Sequence, residues 1–365
     1  MTTPEAPRKP QDRTLKKGWT TGACACAAAS AAWRALKTGA FEDSVSIELP
    51  RGDTPTFELS TQMLGPDFAT AGVIKDAGDD PDVTHGLEII ADVQKGPPGS
   101  GITFAAGQGV GIARLKGLPI AVGEPAINPG PRAYITQAIE AISAELDAST
   151  DVRITISIPG GREVAAKTMN PRLGIEGGLS VLGTTGVVVP YSCSSWIHSI
   201  QRGIDVARAQ DLNHVLAATG RTSEAAANGE LNLDQAALID MGDFAGGLLK
   251  YVRSHPVAHL TIAGGFAKLT KLAQGAMDLH SARSSVDFDH LADLLARIGG
   301  DRDQVREVRT ANTAQHVLEL ADDCAPDLAH LIARQAREVA LATLAGGTEV
   351  SVWVYDRQGT RVGRS

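Results

Sequence analysis

From Gly18 to Gly39 the chain reads GWTTGACACAAASAAWRALKTG, a run of small, mostly apolar residues with no proline inside it. Such a run predicts a helix. Thr20 or Thr21 supplies the side-chain oxygen that caps its first turn, and Gly39 supplies the stop. The pattern then changes to short segments in which apolar and polar residues alternate: SVSIELP, TFELSTQ, TAGVIKD, LEIIADVQ and GITFAAG, parted by Gly, Pro and Asp. That spacing predicts a mostly antiparallel sheet. A second helix is predicted in PRAYITQAIEAISAEL. After it, VRITISIPGGREVAAKT echoes the hairpin style of SVSIELPRGDTPTFELS, which leaves open a duplicated unit or two similar turns.

Beyond Tyr191 the style differs. HVLAATG, AALIDMGDFAG and VAHLTIAGGFAK are apolar runs that end in glycine and are separated by helix-length segments, the pattern of successive parallel strands. The fold class expected is therefore an α+β domain, a mixed or antiparallel sheet with helices, followed by a Rossmann-like α/β domain. The boundaries expected are a disordered leader over 1–14, the α+β domain over 15–200 and the Rossmann-like domain over 201–365. Ligands of such parallel sheets bind beyond the carboxyl ends of the strands, so Thr219-Gly220, Gly242-Asp243 and Gly264-Gly265 would line one rim. None of these is a GxGxxG.

Composition narrows the function classes. The net charge of -8, with acids and bases interspersed, argues against a nucleic-acid partner. Apolar stretches such as GTTGVVVP fall short of the roughly 20 residues a membrane span needs. The polar, Pro-rich start lacks the apolar centre of a signal peptide, so a cytoplasmic protein is expected. Cys24, Cys26, Cys193 and Cys324 show no zinc or redox spacing and read as free buried thiols, and no protein metal site is expected. His198 and Trp196, in SSWIHSI, read as core or interface residues.

The candidate chemistry sits in polar, glycine-rich stretches. KDAGDDPDVTHG, Lys75 to Gly86, packs four aspartates, a lysine and a histidine into twelve residues. It lacks the alternating ligands and closing Glu of a calcium loop, which leaves a charged surface turn or a functional loop. In GQGVGIARLKG, backbone amides could approach an anion, or the glycines could serve a plain hairpin. VGEPAINPGPR places Arg132 at a helix start, where it could hold a carboxylate. KTMNPRLGIEGGLSVLGTTG brackets Pro171 with Asn170 and Arg172 and offers amide-rich turns at Gly177-Gly178 and Gly183-Thr184-Thr185-Gly186. In AKLTKLAQGAMDLHS, Lys268 and Lys271 lie three apart on a predicted helix, with His280 beyond it.

In this order the motifs resemble the CbiD family, the cobalt-precorrin-5B carbon-1 methyltransferases of cobalamin biosynthesis. GWTTGACACAAASAA, KDAGDDPDVTHG, VGEPAINPGPR and NPRLGIEGGLSVLGTTGVVVP carry the likeness, which runs from about Lys17 to the end. The chain departs from the family at Arg114-Leu115-Lys116, where a Thr-Lys-Pro is usual, and at Gly264-Gly265-Phe266-Ala267-Lys268, where Gly-His-Ile-Gly-Lys is usual. The resemblance implies transfer of a methyl group from S-adenosylmethionine to carbon 1 of a contracted tetrapyrrole, giving cobalt-precorrin-6A, with cobalt present only as part of the substrate. It implies catalytic roles for Asp79, Asp80 and His85, the last as a proton acceptor. It implies substrate contacts at Lys75, Arg132, Asn170, Arg172, Lys268, Lys271 and His280. It implies cofactor contacts at Thr20, Thr21, Gly178, Gly183, Thr184, Thr185, Gly242, Asp243, Gly264 and Gly265. The partner is a small corrinoid, without nucleic acid or membrane, and a homo-oligomer is left open. A corrinoid carrier without chemistry and a nucleotide-linked oxidoreductase are the rival classes.

Overall fold

Helix α1 (Thr21–Thr38) forms where the alanine-rich run meets its two end signals, in a computed structural model that describes residues 15–365. The leader expected over 1–14 lies outside them. Thr20 Oγ1 accepts from the Ala23 N–H at 3.2 Å, and Gly39, at φ 86 in the left-handed region, donates its N–H to the Ala35 carbonyl. Because its side chains are so small, the helix can be buried almost all round. Trp33 is its one large buried ring, and the indole N–H reaches Ser143 Oγ at 2.9 Å on α2 (Pro129–Glu145).

The chain divides into two compact units. The first runs up to Arg114 and includes Pro119–Asn170 and Ile175–Ser192. The second takes Cys193–Ser365 together with Leu115–Leu118 and Pro171–Gly174.

In the first unit five strands form the main sheet: β1 (Thr61–Leu64), β2 (Phe68–Ile74), β3 (Glu88–Lys95), β4 (Ile102–Ala106) and β5 (Val152–Ser157), in the order β1-β2-β3-β5-β4. All neighbours are antiparallel except β4 and β5. The period-two pattern has its expected result. Ala69, Ala71 and Val73 of β2, Ile89, Ala91 and Val93 of β3, and Val152, Ile154 and Ile156 of β5 all turn into the core that α1 and α2 cover. SVSIELP contributes only the short strand Ser44–Ser46, which pairs with Thr56–Glu58 away from this sheet. The echo between the two hairpin-like stretches is not structural. Val152–Ser157 is an inner strand of the main sheet, and it leads into the helical turn Gly161–Ala165 instead of a second hairpin arm.

The second unit is built on β6 (His214–Ala218), β7 (Leu238–Asp240), β8 (His259–Gly265), β9 (Glu349–Tyr355) and β10 (Arg361–Arg364), in the order β7-β6-β8-β9-β10. The first four in that row are parallel, and β10 is antiparallel to β9. Eight helices accompany them among the described residues: α3 (Cys193–Ala209), α4 (Arg221–Leu231), α5 (Ala245–Ser254), α6 (Phe266–Ala273), α7 (Phe288–Arg297), α8 (Arg302–Arg309), α9 (Ala314–Ala321) and α10 (Ala325–Leu344). Both faces of the sheet are covered. Val215 and Ala217 of β6 join the large core, while Leu216 and Ala218 join a smaller one on the other side with Ala227 of α4. Double burial explains why these strands read as continuous apolar runs. The protein is thus a mixed α/β structure with several sheets.

Two local expectations are corrected in part. Cys24 and Cys26 are buried, and burial pushes both thiols up to about 12, but Cys193 is exposed and Cys324 only half-buried. Trp196 and His198 lie on the exposed face of α3 and take no part in a core.

Candidate functional site

The loop Lys75–Gly86 leaves the end of β2 and returns before β3, and its base is closed by backbone bonds from Lys75 N to Leu87 O and from Gly86 N to Lys75 O. Inside it Lys75 is only 1% exposed. Its ammonium donates to Asp82 Oδ2 and, at 2.8 Å, to Thr84 Oγ1, while Asp82 Oδ1 accepts from the Thr84 N–H and hydroxyl. Burial works to raise the Asp82 pKa, but the Lys75 charge and these donors outweigh it and hold the carboxyl below the ordinary aspartate value. The loop is therefore organised around an internal ion pair, which a solvated turn would not need.

The remaining acids face outward. Asp76 Oδ2 accepts from the Lys16 ammonium at 2.6 Å and Oδ1 from the Gly78 N–H; the Lys16 bond and then the Gly78 amide keep its pKa low. Asp79 is exposed and its Oδ2 accepts from Lys16 N. Asp80 Oδ1 accepts from the backbone N–H of Tyr191, a non-glycine residue held at φ 56 with an exposed ring. His85 is exposed, and its Nδ1 accepts from the Ala77 N–H at 3.1 Å. The lone pair at Nδ1 is thus in use and the ring hydrogen belongs on Nε2, so His85 presents a donor to solvent.

Two other segments meet this loop. Residues Lys16–Trp19 run against it so closely that a Cβ on Gly18 would lie 2.0 Å from the Ala77 carbonyl carbon, and one on Gly78 2.2 Å from Lys16 O. The same segment, as strand Gly18–Trp19, pairs with Val187–Val188. Just before that strand, the turn Gly183–Gly186 packs on the start of α1. Thr20 N donates to Gly186 O, and Gly183, at φ 125, would place a Cβ 2.2 Å from Thr20 Oγ1. Thr20, Gly183, Thr184, Thr185, Asp79, Asp80 and His85 are thereby gathered along one edge of the first unit, although they are far apart in sequence. The Thr20 hydroxyl is committed to its capping bond, and Thr21 is buried.

Other candidates turn out to be occupied. Asn170 is buried and braces its own stretch, donating to Gly178 O and accepting from Ser180 Oγ. Gly178 is required by packing, since a Cβ would lie 2.1 Å from Gly109 O, and Gly107 and Gly109 are similarly crowded by β5 and the residues after it. The guanidinium of Arg132 folds back onto Ile127 O, Pro125 O and Glu124 and stacks over Phe104. Arg172, in the second unit, makes a bidentate pair with Glu224 at 2.6 and 2.7 Å. Lys271 is buried and donates to Leu279 O, while His280 is exposed and its Nδ1 closes a turn onto the Ala282 N–H.

At the carboxyl ends of β7 and β8 in the second unit, Lys268 bridges the Thr219 carbonyl at 2.9 Å and Asp243 Oδ1 at 3.0 Å. Gly242 comes within contact of the Trp196 ring, and Gly264 lies tight against Thr219. Burial, then the neighbouring Glu224, pushes the Asp240 carboxyl upward. Among the described residues no group of three or more His, Cys, Asp or Glu could hold a metal ion, and no helix is long and apolar enough to cross a membrane. Sequence reading had passed over Lys16, Tyr191, Arg221 and Arg357. Only their positions beside the loop or at the strand ends mark them out.

Polar residues gathered at loop edges of an α/β framework are the arrangement of a protein that holds a small molecule. The CbiD family matches residues 8–190, and the CbiD C-terminal domain matches residues 278–365. The chain is 57% identical over 364 residues to proteins named cobalt-precorrin-5B C(1)-methyltransferase from Brucella canis and from Brucella suis biovar 1, across 100% of this chain and 99% of each of those. It is also similar, at 29% identity, to the crystal structure of cobalamin biosynthesis protein CbiD from Archaeoglobus fulgidus, over 69% of this chain and 77% of that one with a TM-score of 0.39. The chain belongs to the CbiD family.

Proposed function

We propose that this protein methylates carbon 1 of cobalt-precorrin-5B, giving cobalt-precorrin-6A in cobalamin biosynthesis, with S-adenosylmethionine as the methyl donor. The observation that carries the reaction is the end-to-end 57% identity with proteins bearing that name. The donor, when bound, supplies an activated methyl on a sulfonium. We assign it to the edge of the first unit, where the exposed carboxylate of Asp79 and the partly exposed one of Asp80 favour a positive ligand and the Gly183–Gly186 turn leaves Thr184 open. The protein's task is then alignment of two bound reactants, with no covalent nucleophile. Lys75 is assigned the role of holding the loop through Asp82, and His85 that of a donor from Nε2. The two compact units are read as two domains, and four parallel strands whose order reverses beside β6 support a Rossmann-like reading of the second.

The test is single-turnover methylation of the cobalt-precorrin with labelled S-adenosylmethionine. Asp79→Asn and Asp80→Asn keep an oxygen acceptor for Lys16 N and Tyr191 N, so each should leave stability within about 0.5 kcal/mol of the parent. Methyl transfer should nonetheless slow by roughly ten- to a hundredfold as one charge-assisted contact is lost. Parent-like rates in both variants would remove the loop from the reaction. Binding of the corrinoid without any labelled product would favour a carrier.

A further inference from the structure

The carboxyl ends of β6, β8 and β9 open on a cleft of about 390 Å³ in the second unit, within the size range of small-molecule sites. It lies where the strand order reverses, between β6 and β8, the position at which open parallel sheets bind ligands. Two guanidiniums line it, Arg221 at the start of α4 and Arg357 in the turn after β9. Both are exposed, and neither has an ion pair or side-chain hydrogen bond with any described residue. The Lys268 ammonium also lines it but is already paired with Asp243. The one acid among the described lining residues, Asp356, spends Oδ1 on the N–H groups of Gln358 and Thr360. In a chain of net charge -8, Arg221 and Arg357 face only the Asp356 carboxylate among the described lining residues, which leaves a local excess of positive charge.

A second observation points to a ligand. Thr219 is 6% exposed and lines the cleft, yet its hydroxyl has no hydrogen-bond partner among the described residues. A polar group so nearly buried is ordinarily paired. Beside it α4 and α6 begin at Gly220 and Gly265 without side-chain caps, and a Cβ at either glycine would meet nothing within 4 Å. First-turn amides are therefore free to add to the two guanidiniums.

We propose that this cleft holds carboxylate arms of the tetrapyrrole substrate, an inference that rests on the corrinoid reading above. Arg132 and Arg172, expected from sequence to hold those arms, are spent on internal partners, whereas Arg221 and Arg357 are available. The donor also carries a carboxylate, but its sulfonium is repelled by two guanidiniums, while a macrocycle with several acetate and propionate arms is drawn to them.

The test uses the full chain with Arg221→Gln and Arg357→Gln together, beside the charge-keeping pair Arg221→Lys and Arg357→Lys. Fluorescence titration with uroporphyrin, a tetrapyrrole polycarboxylate, reads the cleft, and calorimetry with S-adenosylhomocysteine reads the donor site. The glutamine pair should bind uroporphyrin about ten- to a hundredfold more weakly, with S-adenosylhomocysteine affinity and melting temperature unchanged, and the lysine pair should retain most of the affinity. Unchanged uroporphyrin binding in the glutamine pair, or none in the parent, would overturn the proposal. Weakened S-adenosylhomocysteine with uroporphyrin retained would also overturn it, by giving the cleft to the donor's carboxylate. A parent that binds uroporphyrin but never transfers a methyl would sink the reaction and leave the cleft standing.

Discussion

The side chain of Lys75 shows how a residue can matter to a site without touching a ligand. Its ammonium is fully inside the loop and paired with Asp82 and Thr84, so removing it leaves a mostly buried carboxylate with no opposite charge, held only by the Thr84 donors. Lys75→Met should destabilise the protein by about 3 kcal/mol, because breaking one side of a buried pair costs more than the pair itself contributes. The linkage has a definite sign. The folded Asp82 pKa lies below its unfolded value, so the stability it contributes is present above about pH 4 and is lost as pH falls through the folded pKa. In Lys75→Met the lowering charge is gone and burial remains, so the acid loss should begin at higher pH than in the parent. Urea melts from about pH 3 to 7 check this, and identical pH profiles would mean that Lys75 does not hold the loop.

At the scale of elements, α1 and α2 are joined at the surface by the Arg34–Glu145 ion pair and inside by a bond from the Trp33 indole. Trp33 is fully buried and Ser143 nearly so, and the indole N–H has Ser143 Oγ as its partner. Ser143→Ala should cost about 1 to 3 kcal/mol, the penalty of an unsatisfied buried donor, although it removes a single oxygen. Denaturant titration checks it, and a change under about 0.5 kcal/mol would show that the indole finds water. The caps of α1 were legible in advance because Thr20 and Gly39 act on amides and carbonyls within four residues of themselves. The hairpin expected around Pro159 was not, because Val152–Ser157 finds partners in β3 and β4 that no local pattern announces.

For the whole molecule, the expectation concerns metal. Among the described residues no cluster of ligating side chains exists, and cobalt belongs to the proposed substrate. Dialysis against a chelator should leave the melting temperature and the rate of methyl transfer unchanged. A stoichiometric metal retained by the parent and lost together with activity would contradict this. The parallel strands of the second unit were readable from three apolar runs, yet the fourth, β9, comes after a long helical stretch and stood out only once its pairing with β8 was seen.

Sequence by itself determined the elements whose causes are local: the capped alanine helix, the period-two strands of the first sheet, the glycine-ended parallel strands of the second, and the motifs that mark the family. Tertiary structure decided which charges are available for chemistry. Arg172 meets Glu224 across 52 positions of the chain, Asp80 meets Tyr191 across 111, and Lys75 turns inward instead of toward solvent. A charge is neutralised by whatever the fold brings within a few ångströms, and that neighbour is set by the packing of remote segments. For that reason Arg132 and Arg172 looked free in the sequence and are not, while Arg221 and Arg357 drew no notice there and stand unpaired at the mouth of the cleft.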